Sequence, residues 1–244
     1  MKLAFLSDIH GNAVALEAVL SDVKAQKVDR VFVLGDIAYR GPEPKRALDM
    51  VRSLGAQVIK GNADEWTVRG VRKGEVPDSM LEMMNCEQEW TSSRLTEADL
   101  SWLDSLPTEL AVPVSEALSI HAFHATPDSL FEVVLPDQKT DELSGKLMSG
   151  RDASIYIYSH IHLPYVRFIG GKCLVNTGSV GLPFDGLARA SYAVVEVQGD
   201  RYRISIERVA YDVEQVAAQY RRLEYPNAET MMRVIRTATS PFGK

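Results

Sequence analysis

Short apolar runs alternate along this chain with segments whose apolar residues recur every three to four positions. Residues 2–7 (KLAFLS) read as a short buried strand. Residues 12–25 follow as a helix, with Val14, Ala18, Val19 and Val23 near one face and Asn12 as the N-cap. RVFVLG (30–35) is a second buried strand. EPKRALDMVRSLG (43–55) is a helix with Pro44 in its first turn and Gly55 as its stop, and AQVIKG (56–61) is a third strand. Strands alternating with helices predict an α/β fold with parallel strand pairing.

Residues 64–105 break this rhythm. They are rich in Glu, Met and Trp, show no strand pattern, and predict a mostly helical, cap-like insertion. Within it, Thr96 and Asp99 form a capping box at the start of TEADLSWLDSLP. From residue 108 the chain becomes strand-rich. ELAVPV and ALSIHAF flank SEA and predict a hairpin; SIYIYS, YVRFIG and KCLVN follow. SYAVVEV and RYRISIERV, joined by QGD, predict a second hairpin with Gly199 in its turn. One or two helices occupy 213–237. The total is two sheets of strands with helices outside. No repeat or linker interrupts them, so residues 1–244 are expected to form one domain.

Composition narrows the function class. Hydrophobic residues make up 45% and charged residues 25% of the 244 residues, the balance of a globular protein with a sizeable core. The net charge of −6, without a long basic run, argues against a sequence-independent grip on duplex nucleic acid, which needs many cation–phosphate contacts. A small phosphorylated substrate remains compatible. The two cysteines, Cys86 and Cys173, lack metal-type spacing and fit a reducing compartment. The apolar stretch at the N-terminus is too short for a signal peptide, and no run approaches membrane-spanning length, so a cytoplasmic location is expected.

The candidate chemistry sits between these elements. All five histidines (His10, His121, His124, His160 and His162) fall at predicted strand ends or in the loops after them. Such loops are where α/β proteins build sites. A single histidine there is usually a hydrogen-bonded structural residue; five are harder to dismiss. SDIHGN places Asp8 and His10 two apart, and SHIHLP repeats that spacing with His160 and His162. In extended backbone such pairs point the same way and can converge on one cation. LGDIAYRG supplies Asp36 and, four residues on, Arg40; GNAD supplies Asn62; AFHATP supplies His124. Asp8, His10, Asp36, Asn62, His124, His160 and His162 make seven oxygen and nitrogen donors with no sulfur. Seven are too many for one tetrahedral zinc and suit two ions sharing a bridging carboxylate. Two cations about 3.5–4 Å apart can clamp a phosphate and generate a bridging hydroxide. Mixed imidazole and carboxylate donors favour Mn, Fe or Zn over Mg or Ca.

The ordered set Asp-x-His, Gly-Asp-x-x-x-x-Gly, Gly-Asn, His and His-x-His resembles the calcineurin-like metallophosphoesterases, in particular their small bacterial and archaeal phosphodiesterase-type branch. The resemblance runs from residue 3 to about 185 and includes NTGSVGLP (176–183). It implies two packed mixed β-sheets flanked by helices. It also implies that Asp8, His10, Asp36 and His162 hold one metal ion, and that Asp36, Asn62, His124 and His160 hold a second, with Asp36 bridging. Manganese is the expected ion, with iron or zinc as alternatives. Arg40 matches a phosphate-binding arginine of related phosphatases, so Asp36, Arg40 and Asn62 are the expected catalytic residues, the last two touching substrate. His121 has no clear counterpart and is either a partner behind the site or a core residue. Two positions depart from the pattern. Ser159 stands where a glycine usually precedes the paired histidines. Ala63 replaces the histidine that, in the family, protonates the leaving oxygen.

The reading is therefore a dinuclear phosphoesterase for diesters or phosphoanhydrides, weak on alkyl monoesters. Its substrate is a small phosphorylated molecule, with nucleotides among the candidates. Asp64 is either a substitute acid or the N-cap of the following helix. Two other classes compete: a scaffold with a degraded site, such as a retromer subunit, and a repair-type nuclease. The full donor set argues against the first and the acidic charge against the second.

Overall fold

The computed structural model describes residues 1–116, 118–199 and 201–241. Ala117 and Asp200, which belong to the expected SEA and QGD turns, and residues 242–244 lie outside the described residues. The first half alternates as the pattern predicts: β1 (Lys2–Leu6), α1 (Ala13–Ala25), β2 (Arg30–Val33), α2 (Pro44–Ser53), β3 (Gln57–Val58) and α3 (Asn62–Arg69). Helices α4 (Asp78–Ser92) and α5 (Glu97–Asp104) follow. Strands β4 (Glu109–Pro113) and β5 (Ser119–Phe123) then form the predicted antiparallel hairpin. After α6 (Thr140–Leu147) come β6 (Ile155–Tyr158), β7 (Tyr165–Ile169), β8 (Lys172–Asn176), β9 (Ala190–Gln198) and β10 (Arg201–Val209). Helices α7 (Val213–Arg222) and α8 (Ala228–Thr237) complete the order.

The strands form two mixed five-stranded sheets, ordered β10-β9-β1-β2-β3 and β4-β5-β6-β8-β7. Parallel pairing joins β1, β2 and β3 in the first sheet and β5, β6 and β8 in the second. The strand period of two explains how the layers stack. Leu3, Phe5, Phe32 and Leu34 face the second sheet, meeting Ile120, Ile155, Ile157 and Val175 in the central core. Ala4, Leu6 and Val33 face the opposite way, against α1 and α2. Both faces of β1 are covered, which is why it reads as an unbroken apolar run. The outer face of the second sheet packs Phe123, Tyr156 and Tyr158 against Leu143 and Leu147 of α6.

Several local expectations are corrected. The buried face of α1 is Ala13, Ala15, Leu16, Val19 and Val23; Val14 and Ala18 are only half-buried. Strand β3 pairs over just two residues because Gly61 already caps α3. Helix α6 was not expected: its segment, TDELSGKL, buries only Leu143 and Leu147 and carries a glycine, so its periodic signal is slight.

Candidate metal centre

The predicted site residues lie in loops at the carboxyl ends of β1, β2, β5 and β6 and on the first turn of α3, so both sheets deliver donors to one cleft. The loops are laced together by backbone hydrogen bonds. Asp8 and His10 donate to the carbonyls of Gly35 and Asp36, and Gly181 donates to that of Asp8. The Ser179 hydroxyl also donates to the Asp8 carbonyl (2.7 Å), so the NTGSVGLP stretch braces the first loop. Gly61 shows why a glycine precedes Asn62. A Cβ there would stand 2.1 Å from Asp36 Oδ1, too close for any side chain.

The paired donors converge, but not through extended backbone. Asp8, His10, Asp36, Arg40, His160 and His162 all adopt positive φ, between 48° and 70°. Such conformations cost about 1–2 kcal/mol each for non-glycine residues and persist where surrounding structure enforces them, typically at functional sites. Left-handed turns, not strand alternation, therefore aim these side chains inward.

The donor atoms form two adjoining groups. Single ligand atoms of Asp8, His10, Asp36 and His162 lie within 4.8 Å of one another. Beside them, Asn62 Oδ1 lies 2.9 Å from His124 Nε2 and 2.8 Å from His160 Nδ1. Asp36 Oδ2 stands between the groups, 3.6 Å from His10 Nε2 and 3.4 Å from His124 Nε2. Its other oxygen accepts the Ala63 N–H at 2.8 Å.

Hydrogen bonding fixes the imidazoles from behind. His10, His124 and His162 donate Nδ1–H to the carbonyls of Tyr39 (2.9 Å), Leu34 (2.7 Å) and Leu182 (2.5 Å). A backbone carbonyl behind a ring sets the tautomer and leaves the other nitrogen free for a metal. His10 Nε2 and His162 Nε2 thus meet at 3.2 Å in the cleft, and His162 Nε2 also lies 3.2 Å from Asp8 Oδ1. Two ring nitrogens and a carboxylate oxygen this close are a donor set that a cation can share. His160 Nε2 is buried with no hydrogen-bond partner among the described residues. These observations fit divalent metal ions.

Electrostatics agree. Burial pushes Asp36 and Asp8 upward, but His124 and His162, respectively, outweigh it and hold both carboxyls below the usual range. Burial lowers His10 and His160 to about 4, keeping them neutral. His124 is the reverse: the neighbouring Asp36 charge overcomes burial and raises it to about 9, so this spot favours positive charge.

Other expectations divide. His121 is not in the site. It lies within β5, buried, with Nε2 2.8 Å from Glu109 and its ring edge-on to Tyr156. Asp64 is neither a cleft acid nor an N-cap. It is the third residue of α3, fully buried, and its carboxylate accepts N–H groups of Asp36, Ile37 and Gly61 (2.8–2.9 Å). Burial and the Asp36 charge push it up to about 7. Ser159 is fully buried, with its hydroxyl 3.2 Å from His124 Nδ1. Arg40 lines the cleft and is itself buried, with Nε 3.3 Å from Glu87 Oε2. Glu87 was missed from sequence. Its one signal is a place on the buried stripe of α4 with Met84 and Thr91. Phe184, also unforeseen, stacks on His162 at 4.3 Å.

Fold and site together define a buried, mixed imidazole–carboxylate metal centre on a two-sheet α/β sandwich. Residues 1–200 match the calcineurin-like phosphoesterase superfamily domain, and the chain belongs to that family. It is 30% identical over 228 residues to an uncharacterized protein of Methanocaldococcus jannaschii, spanning 86% of this chain and 88% of the relative. The structure is similar to that of a metallophosphoesterase from Sphaerobacter thermophilus, with a TM-score of 0.79 and 26% identity over 98% of this chain and 99% of that one. A stretch of 67 residues is 37% identical to the symmetrical bis(5'-nucleosyl)-tetraphosphatase of Pectobacterium atrosepticum, covering 26% of this chain and 24% of that protein.

Proposed function

We propose that this protein is a metal-dependent phosphohydrolase whose centre holds two divalent transition-metal ions, manganese foremost and iron or zinc as alternatives. Its substrates are small phosphodiesters or phosphoanhydrides, and its expected place is the cytoplasm. The observation that supports this reading is the position of Asp36 Oδ2, 3.6 Å from His10 Nε2 on one side and 3.4 Å from His124 Nε2 on the other. When bound, two such ions would supply positive charge to a phosphoryl group and lower the pKa of a nucleophilic water.

The chain supplies the rest. Arg40, held against Glu87 at the cleft wall, offers a guanidinium fork to phosphate oxygens. Asn62 turns its Oδ1 toward His124 and His160, which leaves its amide N–H to reach a phosphate oxygen. Ala63 brings no proton to the leaving group. Its buried methyl packs in an apolar cluster with Tyr39, Trp66 and Met84. Departing oxygens that are stable as anions, such as aryloxides or phosphates, therefore suit the site better than alkoxides.

Replacing Asp36 by Asn tests the reading. The folded variant should lose hydrolysis of bis(p-nitrophenyl) phosphate to background and retain less metal by elemental analysis. Wild-type turnover in that variant would overturn the two-ion arrangement. A wild-type protein that binds metal tightly and hydrolyses no ester would instead favour the scaffold class.

A further inference from the structure

The cleft in front of the donors has a volume of about 910 Å³. That is far more room than a phosphoryl group needs. One wall is the donor cluster. The remaining walls are largely apolar, and Trp66, Phe131, Val133, Leu135, Leu163 and Phe184 all face the cleft. Val133 and Leu135 are 56% and 40% exposed, two large aliphatic side chains held open to solvent beside a polar centre. Contiguous exposed apolar surface of this kind marks a binding wall.

The polar groups on these walls are few and mostly engaged. Among the described residues lining the cleft, Arg40 is the one Lys or Arg, and it faces the Glu87 carboxylate. Two acids, Glu75 and Asp137, line the cleft away from the donors. A polyphosphate would carry its further negative charges toward those acids, and Arg69, the cation beside Glu75, is already taken up by Glu75 (2.6 Å) and Glu65 (2.8 Å). A nucleobase needs amide or hydroxyl partners for its edges. Here the Trp66 indole N–H already donates to Glu75 (2.9 Å), Asn62 Oδ1 is turned to the imidazoles, and of the two aliphatic hydroxyl residues at the cleft, Thr239 and Ser240, Thr239 is paired with Thr237 (2.6 Å). Beyond these groups the walls offer aliphatic and aromatic carbon.

We propose that the cleft selects phosphodiesters with an uncharged, chain-like hydrocarbon ester group, lodged against Val133, Leu135, Leu163 and Phe131 while the phosphate meets the donors. The proposal rests on the phosphoesterase reading of the centre and narrows its substrate class away from polyphosphates and nucleosides.

The test holds the leaving group constant. Methyl, butyl and octyl p-nitrophenyl phosphates and thymidine 5'-(p-nitrophenyl phosphate) are hydrolysed by manganese-loaded protein. Water oxygen bonds to phosphorus as the P–O bond to p-nitrophenolate breaks, giving the alkyl or nucleoside phosphate and p-nitrophenol. In parallel, titration calorimetry measures binding of methyl-, butyl- and octylphosphonate. Full burial of a methylene corresponds to about fourfold in affinity, so even half-burial gives at least about 100-fold in kcat/KM from methyl to octyl. Phosphonate dissociation constants should fall in step, the octyl ester should exceed the thymidine ester, and Val133→Asp with Leu135→Asp should flatten both series. A flat series with turnover, or a preferred thymidine ester, overturns this inference and leaves the phosphoesterase reading intact. Binding that tightens with chain length, without turnover of any ester, upholds the cleft's preference and overturns the phosphoesterase reading. No turnover with flat phosphonate binding overturns both.

Discussion

At the residue scale, the position with the most to say is one that lacks a functional side chain. Ala63 lies between Asn62, which faces His124 and His160, and Asp64, which ties three backbone N–H groups together. Its own N–H holds Asp36 Oδ1, so the backbone at 63 works for the centre while its side chain cannot donate a proton. Without a general acid, worth 10²–10⁴-fold where present, rates should fall steeply as leaving-group pKa rises. We expect Ala63→His to flatten that slope across a series of substituted phenyl and alkyl esters, with the largest gain on the alkyl members. A shallow slope in the wild type would show that another group already supplies the proton. Asp64 is not placed to do so, because its carboxylate is enclosed by the loops it binds. Donor types and their order were legible in the sequence, because Asp-x-His and His-x-His are local patterns. Their aim was not: the inward turn depends on positive φ at five of the seven donors, and nothing in those residue types announces that conformation. The meeting of His10 and His162 likewise arises from two loops 152 residues apart.

At the scale of elements, the strands and most helices followed from period and caps, while pairing lengths and connections did not. The capping box at the start of α5 is an instance where a short pattern carried over fully. The Thr96 N–H reaches Asp99 Oδ2 at 3.0 Å, and the Asp99 N–H reaches the Thr96 hydroxyl at 3.2 Å. Its second role needed the fold. Arg52 (3.1 Å) and Lys45 (3.7 Å) of α2 also approach Asp99, so one carboxylate locks α5 to the helix that flanks the first sheet. Burial pushes this carboxyl up, but Thr96 and the two cations outweigh it and hold it below the ordinary range. A group with a depressed folded pKa contributes stability above its unfolded pKa and loses it as pH falls through the folded value. Asp99→Asn should therefore lower stability at neutral pH by about 1–2 kcal/mol. The gap from wild type should shrink once pH drops below about 4. Urea melts at pH 7 and pH 3 measure it; a gap unchanged between them would mean the charge contributes nothing. The shortness of β3 was not legible for a related reason. AQVIKG is apolar enough for a longer strand, but Gly61 must pass close to Asp36, and that meeting with the loop after β2 is invisible locally.

At the scale of the whole molecule, Arg40 joins parts that sequence kept separate. It follows β2, yet its guanidinium meets Glu87 of α4 at 3.3 Å, and its carbonyl accepts the Tyr220 hydroxyl of α7 at 2.7 Å. Asn227, just before α8, donates to the other oxygen of Glu87 at 3.1 Å. Helices α7 and α8 lie beyond residue 200, where the family domain match ends, and α4 lies in the segment without a readable motif. The ion pair thus couples a cleft residue to two regions outside the shared motifs. Both side chains are at least 95% buried, so each charge depends on the other to offset its desolvation. Removing one member of such a pair costs about 3–5 kcal/mol, whereas replacing both by apolar residues of similar volume costs far less. We therefore expect Arg40→Met and Glu87→Met each to destabilise the protein by that amount, and the double variant by clearly less than the sum. Denaturant unfolding of the four proteins gives the cycle; additive losses would show that the two side chains do not depend on each other. Activity divides the pair differently. Arg40→Met and the double variant should both lose phosphate affinity while metal content stays at the wild-type level, because neither residue belongs to the seven expected donors. If the double variant recovers stability and retains full turnover, Arg40 is a structural clamp for α4 and α7, and phosphate binding belongs to Asn62 and the metal ions alone.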